Sequence, residues 1–315
     1  KRFGPKYHYV VAGYPPFCRR LFEKTQTEMN WKKYCIDLLV GGEGFVVGWR
    51  EHVMEMLNKK SRIFSAYGAS DVDIGVAFET PLSIFVRKLL TKNQIMRRKF
   101  SKGGRFPMVF QYNPLAHYIS NLKVNLAGKS VEEFTITPLD SAVVSPKVKY
   151  NLHDEGRKLG FLELQNLFKK HKEFSKYLEK NKNNILKLPF LIVYGRSDGT
   201  LSINGTNLYP QQIQLALMKD KSLFSQTHTF RISDKNKNKL QLVVRIELKN
   251  GVKPTSALKQ KFESTILKHF PQISEEYKQA LEEFPKEFFP AVELYSFGTG
   301  HFAESSSKIK HKYIG

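Results

Sequence analysis

The chain has 315 residues and is strongly basic, with 51 lysine and arginine residues against 29 acidic ones and a formal net charge of +22. Its apolar fraction of 41% suits a globular protein with a sizeable core, and no apolar run reaches the roughly 18 residues that a membrane-spanning helix needs. The two cysteines, Cys18 and Cys35, exclude a disulfide framework and favour a reducing, cytoplasmic compartment. Because the lysines are spread along the chain without a nucleic-acid-binding motif, we interpret the charge as a solvated surface, with nucleic-acid binding as the alternative.

The first part of the chain alternates short apolar runs, polar loops and amphipathic segments, which predicts an α/β fold. Ligands of open α/β sheets bind beside the loops that follow the carboxyl ends of the strands. The predicted strands are residues 9–13, 36–40, 63–66, 108–112, 134–139, 148–156 (ending in a polar loop) and 188–193. The predicted helices are residues 16–29, 46–59, 78–99 and 161–180.

The stretch at residues 195–199, Gly-Arg-Ser-Asp-Gly, interrupts this pattern and has the composition of a joint between two structured regions. Beyond it, Asn204-Gly205 predicts a tight hairpin and Pro210 a helix start. The sequence therefore predicts two domains, residues 1–197 and residues 198–315, the second a small α+β unit. The elements predicted in the second domain are a helix at 211–218, strands at 226–232, 240–248 and 291–295, and helices at 255–270 and 275–283.

The predicted turn Tyr67-Gly68-Ala69-Ser70-Asp71 brings an aromatic ring, a hydroxyl and a carboxylate together. A ring of this kind can stack on a nucleobase. A hydroxyl and a carboxylate suit a magnesium ion and the phosphate that it accompanies. The alternative interpretation is an ordinary Tyr-Gly turn without a ligand.

Three further polar sites each have a functional and a plainer interpretation. Asp154, at a predicted strand end, could accept hydrogen bonds from ribose hydroxyls or could cap a turn. Arg196 and Asp198 fit either a hinge beside a ligand or a surface ion pair. Lys308, within the polar run 305–311, could reach an anion or could lie in a frayed basic tail.

Several of these segments match the motifs of one known family in both order and spacing. The longest match joins residues 195–198, Gly-Arg-Ser-Asp, with Asn204-Gly205 and Tyr209-Pro210. The other matching segments are Gly41-Gly42-Glu43, residues 67–71, Glu79, residues 111–115 and residues 150–154. Together they resemble the adenylate-forming superfamily of acyl-CoA synthetases, most closely its phenylacetate-CoA ligase-like branch, and the resemblance covers nearly the whole chain from Gly13 onward.

The resemblance implies that a carboxylic acid attacks ATP to give an acyl-adenylate and pyrophosphate, and that a thiol, coenzyme A, then takes the acyl group. It implies a fold made of the carboxy-terminal part of the large nucleotide-binding domain and a small lid domain that rotates about a hinge. Asp198 would be the pivot, Asp71 would bind Mg²⁺ beside the phosphates, and Lys308 would be the catalytic lysine of adenylation. The nucleotide-binding residues implied are Gly42, Glu43, Tyr67, Gly68, Ser70, Asp154 and Arg196.

The resemblance also implies a pocket for the acyl group, with an apolar lining that favours an aryl or medium acyl acid over a small polar one. The lining residues that it implies are Gly44, Phe45, Val72, Ile74 and Gly75. A homodimer is compatible with this branch of the family.

Three departures from the family pattern matter. The phosphate loop that precedes these motifs in the family is missing, so we expect the carboxy-terminal part of a longer protein, inactive as this chain alone. Asp71 stands where the family has Glu, and the terminal motif reads Ser-Ser-Lys rather than Ser-Gly-Lys, which makes Lys310 a rival to Lys308. The two cysteines, far apart in sequence, predict no zinc site. The alternative functions are a non-catalytic adenylate-forming-like binding protein or a truncated inactive fragment.

Overall fold

The computed structural model describes residues 3–100, 105–126, 129–140, 145–196, 201–203, 206–234, 241–303 and 313–314. The chain divides into two compact units, Lys1–Gln94 with Pro107–Asp198 and Ile95–Phe106 with Gly199–Gly315. In the described ranges, no helix is both long and apolar enough to cross a lipid bilayer.

The first unit is a mixed α/β structure built around one large sheet. Its strands are β1 (His8–Gly13), β2 (Cys35–Val40), β3 (Arg62–Ala69), β4 (Asp73–Phe78), β5 (Met108–Gln111), β6 (His117–Leu126), β7 (Lys129–Pro138), β8 (Tyr150–Leu159) and β9 (Phe190–Arg196). Its helices are α1 (Pro15–Thr25), α2 (Val47–Met56), α3 (Pro81–Lys92), α5 (Phe161–Leu167) and α6 (Lys172–Lys180), while α4 (Gln94–Phe100) continues into the second unit.

Within the described residues, these strands form a nine-stranded sheet in the order β1-β2-β3-β4-β5-β9-β8-β7-β6. Strands β1, β2 and β3 are parallel and are connected through α1 and α2, as the strand–helix alternation of the sequence predicts. The remaining strands are antiparallel. One face of β2 is fully buried through Ile36, Leu38 and Val40, which explains the apolar run there.

The antiparallel half of this sheet is strongly curled. Strands β4 and β6 stand five positions apart, which in a flat sheet would separate them by roughly 24 Å. Yet Asp73 Oδ2 on β4 lies 2.9 Å from His117 Nε2 on β6. The two ends of the antiparallel half therefore face each other, and residues of distant strands can meet inside the curl.

Several predicted elements of the first unit need correction. Strands β4 and β6 were not predicted, since residues 73–77 and 117–126 were assigned to no element and Phe78 to a helix. Residues 67–69 continue β3 rather than forming a turn, and β8 runs on to Leu159, so Asp154 lies inside a strand rather than at its end. In each case pairing with a neighbouring strand extends the element beyond what its local polarity indicates.

The predicted helix at 161–180 is two helices, α5 and α6, with a turn between them. Phe168 and Phe174 are both buried, and their rings stack with centroids 4.9 Å apart. Six residues along one continuous helix point about 120° apart, so a single helix could not bury both rings against each other. The turn lets the two aromatic side chains share one core site.

The second unit is a small α+β structure, as predicted. Its described elements are β10 (Leu201–Ile203), β11 (Thr206–Leu208), α7 (Pro210–Met218), α8 (Lys221–Gln226), β12 (Thr227–Asp234), β13 (Leu242–Leu248), α9 (Ser256–Ile273), α10 (Glu275–Glu283), α11 (Pro285–Phe288) and β14 (Ala291–Tyr295). Strands β10 and β11 form the predicted hairpin, and β14 has the predicted bounds. Strand β13 lies between β12 and β14, antiparallel to the first and parallel to the second.

Near its end the chain returns to this unit. Ile314 bridges Ile232 of β12 in a parallel arrangement, and the Tyr313 ring packs on Phe230 with centroids 5.1 Å apart. Both residues pack against the buried core of the unit. The final described residues are therefore part of the folded structure.

Candidate functional site

A reciprocal pair of hydrogen bonds joins two segments that lie far apart in sequence, residues 67–71 and residues 150–154. The Tyr67 hydroxyl donates to Asp154 Oδ2 at 2.8 Å. The Tyr150 hydroxyl donates to Asp71 Oδ2. Each segment thus supplies one tyrosine donor and one carboxylate acceptor. We call Tyr67, Asp71, Tyr150 and Asp154 the tyrosine–carboxylate cluster.

The backbone of β3 is shaped for this contact. The pairing of β3 with β4 shifts register between Tyr67 and Ala69, and such a bulge turns a strand and redirects its side chains. Gly68 lies within the bulge, where an added Cβ would be 2.2 Å from the Asp73 carbonyl oxygen. Only glycine allows β4 to approach this closely, which gives a physical reason for the Tyr-Gly pair that the sequence displays.

Strand β8 carries the other half of the cluster and is also irregular. Its pairing with β9 shifts register between Glu155 and Gly156, just after Asp154. A Cβ at Gly156 would lie 2.2 Å from the Ile192 carbonyl oxygen and 2.3 Å from the Phe134 ring. Close packing against β9 and β7 therefore fixes the strand next to the Asp154 carboxylate.

Backbone strain is also located in this segment of the chain. His153 has a φ of 57° and Lys149 a φ of 50°, in the left-handed region that non-glycine residues rarely adopt. The Asn151 amide nitrogen donates to Glu133 Oε2 at 2.7 Å, and His153 Nδ1 lies 3.2 Å from the same oxygen. These contacts hold residues 149–154 in a conformation that costs energy, as is common at functional sites.

The cluster alters the ionisation of its members. Burial and the neighbouring Asp154 carboxylate raise the pKa of Tyr67 well above its ordinary range. The hydrogen bond from Tyr150 lowers the pKa of the exposed Asp71, and the same bond raises the pKa of Tyr150. At neutral pH both tyrosines are hydrogen-bond donors and Asp71 is a carboxylate.

Tyr67 also has an aromatic neighbour. The ring of Phe110, which is buried on β5, lies 5.7 Å from the Tyr67 ring at an interplanar angle of 35°. Tyr67 itself is half-buried. A half-buried ring supported by a second aromatic side chain suits the stacking of a planar base.

A second polar cluster lies deeper in the first unit, around Glu79. The carboxylate accepts hydrogen bonds from the Arg50 and Arg87 guanidinium groups and from the Ser65 backbone N–H. The Phe45 ring lies near both guanidinium groups, with its centroid 5.2 Å from Arg50 Cζ and 4.8 Å from Arg87 Cζ. We call Arg50, Glu79 and Arg87 the Glu79 cluster.

The sequence motifs include Glu79 without indicating a role for it, and they indicate neither arginine. Arg50 and Arg87 are almost fully buried on α2 and α3. The sequence does contain a signal for this, since each arginine lies between apolar residues at helical spacing, Val47 and Val53 in the case of Arg50. The role of Tyr150 was missed as well, although the Tyr-x-x-x-Asp spacing at 67–71 recurs at 150–154.

The other predicted site residues lie in different environments. Gly42 has a φ of +76°, and a Cβ there would lie 2.4 Å from the Tyr14 ring, so the loop requires glycine. Of the residues predicted to line an acyl pocket, Phe45 is buried beside the Glu79 cluster while Ile74 is 77% exposed. Gly44 is exposed, and Val72 and Gly75 are partly buried.

Some predicted residues lie where the structure gives no side-chain detail. The backbone of Arg196 on β9 pairs with Asp154 on β8, but nothing is described of the Arg196 side chain. Asp198, Lys308 and Lys310 lie outside the described residues. The structure therefore brings together Tyr67, Asp71, Asp154 and the Arg196 backbone.

The donor set near Asp71 bears on metal binding. Within the described ranges, no group of three or more His, Cys, Asp or Glu side chains could hold a metal ion. Mg²⁺ is commonly held by one or two carboxylates together with substrate phosphates and water. The exposed Asp71 carboxylate fits that mode of binding, in which phosphate and water would supply the remaining oxygen ligands.

Comparison with known proteins identifies the fold. One solved structure, 2-hydroxyisobutyryl-CoA ligase in the postadenylation state in complex with R3-HIB-AMP, is similar with a TM-score of 0.60 and 14% sequence identity, over 97% of this chain and 54% of that chain. Another, McyG A-PCP complexed with phenylalanyl-adenylate, has a TM-score of 0.50 and 10% identity, over 91% of this chain and 46% of that chain. No protein-family model and no curated protein matches the sequence.

These likenesses show that the chain has the fold of the adenylate-forming ligases, which confirms the fold that the sequence motifs predicted. The chain spans about half the length of the solved structures it matches. The phenylacetate-CoA ligase-like branch remains a prediction from sequence motifs.

Proposed function

We propose that this chain takes part in the ATP-dependent activation of a carboxylic acid to an acyl-adenylate with release of pyrophosphate, followed by transfer to a thiol, coenzyme A. The observation that carries the proposal is the tyrosine–carboxylate cluster, because it joins the predicted adenine-stacking residue to the predicted ribose-binding residue. The fold supports it, since the two solved structures described above contain an acyl-AMP compound and an aminoacyl-adenylate respectively.

In this proposal the adenosine lies against β3 and β8. The Tyr67 ring stacks on adenine, and the Asp154 carboxylate accepts hydrogen bonds from the ribose hydroxyls. Arg196 supports the ribose from β9, opposite Asp154 in the strand register. Further contacts to the nucleotide come from Gly42, Glu43, Gly68 and Ser70.

The chemistry takes place at the α-phosphate, where negative charge develops during attack by the carboxylate. Asp71 would hold Mg²⁺, which supplies positive charge next to the phosphate oxygens. Lys308, with Lys310 as the alternative, would supply a second positive charge, and Asp198 would be the pivot between domains 1–197 and 198–315. These assignments rest on the sequence motifs.

The acid that we propose is an aryl or medium acyl acid, held by Gly44, Phe45, Val72, Ile74 and Gly75. Apolar neighbours favour such an acid over a small polar one, since burial of its apolar surface stabilises the complex. The free thiols Cys18 and Cys35 suit a cytoplasmic location.

A binding experiment and an exchange experiment test the proposal together. We expect an acyl-sulfamoyl-adenosine analogue to bind the full-length protein in calorimetry, and at least one acid from a panel of aryl and medium-chain acids to support ATP–pyrophosphate exchange by the full-length protein. Lys308→Ala should abolish exchange and retain binding of the analogue. Failure of every analogue to bind, together with no exchange for any acid, would contradict the proposal.

A non-catalytic adenylate-binding protein is the second candidate. The hydrogen bond from Tyr150 to Asp71 favours it, since that carboxylate already has a protein partner at the position where the enzyme needs a metal ligand. Binding of the analogue without exchange for any acid, in wild type and Lys308→Ala alike, would select this candidate.

A further inference from the structure

The carboxylate of Asp154 accepts a hydrogen bond from a residue on another strand, Tyr67. Asp154 lies on β8 and Tyr67 on β3, 87 residues earlier and four positions away in the sheet. Only the curl of the antiparallel half brings the Tyr67 hydroxyl to 2.8 Å from Asp154 Oδ2. The bulges beside both residues and the close packing at Gly68 and Gly156 fix the two backbones that must meet.

A hydrogen bond of this kind restricts a carboxylate. An aspartate side chain can otherwise rotate about its terminal bond, because the energy wells of such sp³–sp² torsions are broad. A donor fixed at one oxygen sets the plane of the carboxylate and hence the directions from which its oxygens accept further hydrogen bonds. The Tyr67 hydroxyl is an effective donor because it stays protonated well beyond neutral pH.

We propose that the Tyr67 hydroxyl determines the sugar specificity of the site: it aligns Asp154 so that the site selects a ribose over a deoxyribose. The inference rests on the proposed function, because it assigns how the adenosine part of the same site is recognised. Tyr67 acts on the ribose through Asp154 and is therefore a positioning residue for the sugar.

The same cluster offers a matched control. Tyr150 makes the same type of hydrogen bond, from a tyrosine hydroxyl to an aspartate oxygen, but its acceptor is Asp71 rather than Asp154. Tyr150→Phe therefore removes an equivalent hydroxyl from the cluster without removing the donor to Asp154. A loss of preference for adenosine over the deoxynucleosides that appears in Tyr67→Phe and not in Tyr150→Phe comes from the alignment of Asp154.

The test measures binding of adenosine, 2′-deoxyadenosine and 3′-deoxyadenosine by calorimetry. Nucleosides without phosphate report on the base and sugar contacts independently of metal and of the acyl group. We expect the wild-type protein and Tyr150→Phe to prefer adenosine to the deoxynucleosides. Tyr67→Phe keeps the aromatic ring, so it should bind the deoxynucleosides as the wild type does, while its preference for adenosine falls about tenfold.

Three results would overturn the inference. Equal weakening of all three nucleosides in Tyr67→Phe would mean that the hydroxyl supports only the stacking ring or the fold. An unchanged preference for adenosine in Tyr67→Phe, with Asp154→Asn reducing it, would show that Asp154 needs no alignment by Tyr67. Failure of the wild-type protein to bind adenosine would remove the proposed function as well, which distinguishes that failure from the other two.

Discussion

The first unit contains two clusters built on carboxylates, and they differ in how the carboxylate is held. In the Glu79 cluster, one buried carboxylate accepts hydrogen bonds from two arginines and a backbone N–H, so both of its oxygens already have partners within the protein. In the tyrosine–carboxylate cluster, Asp71 is exposed and Asp154 partly buried, and each receives a tyrosine hydroxyl.

The two clusters also differ in their net charge. The Glu79 cluster combines two arginines with one glutamate, and burial lowers the pKa of Arg87 to about 10, still far above neutral. An excess positive charge is therefore buried, and it is tolerated because every group has partners. The deep cluster therefore holds α2, α3 and β3 together, whereas the shallow cluster leaves its carboxylates partly accessible.

The largest effect on stability should come from Glu79→Gln. Removing the carboxylate charge leaves two buried guanidinium groups without their counter-ion, and breaking a buried ion pair in this way costs about 3–5 kcal/mol. Urea unfolding measures the change. A loss under about 1 kcal/mol would mean that the Glu79 cluster is no more structural than an exposed ion pair.

Asp154→Asn, unlike Glu79→Gln, should affect ligand binding rather than stability. The acceptor oxygen for Tyr67 is retained and the side chain is partly exposed, so we expect the unfolding midpoint to stay close to that of the wild type. Binding of adenosine should weaken instead. If Asp154→Asn destabilised the fold as much as Glu79→Gln, the contrast between the two clusters would be wrong.

The next effect in size should come from Gly156→Ala. The added methyl group would meet the Ile192 carbonyl oxygen at 2.2 Å and the Phe134 ring at 2.3 Å, and overpacking of this kind costs about 1–3 kcal/mol. Gly160→Ala is the control, since an added Cβ at Gly160 has no neighbour within 4 Å. Similar stabilities for the two variants in thermal unfolding would contradict the packing of β8 described above.

A smaller effect is expected from the hydrogen bond between Tyr67 and Asp154. In a double-mutant cycle of Tyr67→Phe and Asp154→Ala, each of which removes one partner of the bond, the coupling energy should be about 0.5–1.5 kcal/mol at neutral pH. Because the folded protein raises the pKa of Tyr67, this stabilisation is complete below the ordinary tyrosine pKa and is lost as pH rises through the raised value. A coupling that persists unchanged in strongly alkaline solution would contradict the bond.

The smallest effect on stability should come from Tyr150→Phe, since both Tyr150 and Asp71 are solvent-accessible and water replaces the lost hydrogen bond. The unfolding midpoint should be indistinguishable from that of the wild type in a urea titration. A marked loss would mean that the outer part of the tyrosine–carboxylate cluster holds the fold together as the Glu79 cluster does.

Local signals in the sequence predicted much of this fold. The hairpin at 201–208 follows from Asn204-Gly205, and the bounds of β14 follow from a short apolar run with clear ends. The predicted adenine and ribose residues, Tyr67 and Asp154, do meet, although the motifs that indicated them carry no information on their contact.

Local signals in the sequence could not predict the contacts that depend on the curl of the sheet. Nothing in the polar sequence of β6 indicates that His117 closes onto Asp73, because that contact exists only once six strands have paired. The Glu79 cluster is similar, since Arg50 and Arg87 find one carboxylate from two separate helices. Such features are set by tertiary packing, which overrides the local preference of each segment.

The curled sheet also has a consequence for the order of events in folding. The two hydrogen bonds of the tyrosine–carboxylate cluster close loops of 87 and 79 residues. Because closing such long loops costs conformational entropy, these non-local contacts form late in folding. The helices and the hairpin at 201–208, which depend on near neighbours, can form much earlier. A nascent chain would therefore acquire most of its secondary structure first, and would complete the tyrosine–carboxylate cluster in the last step of folding.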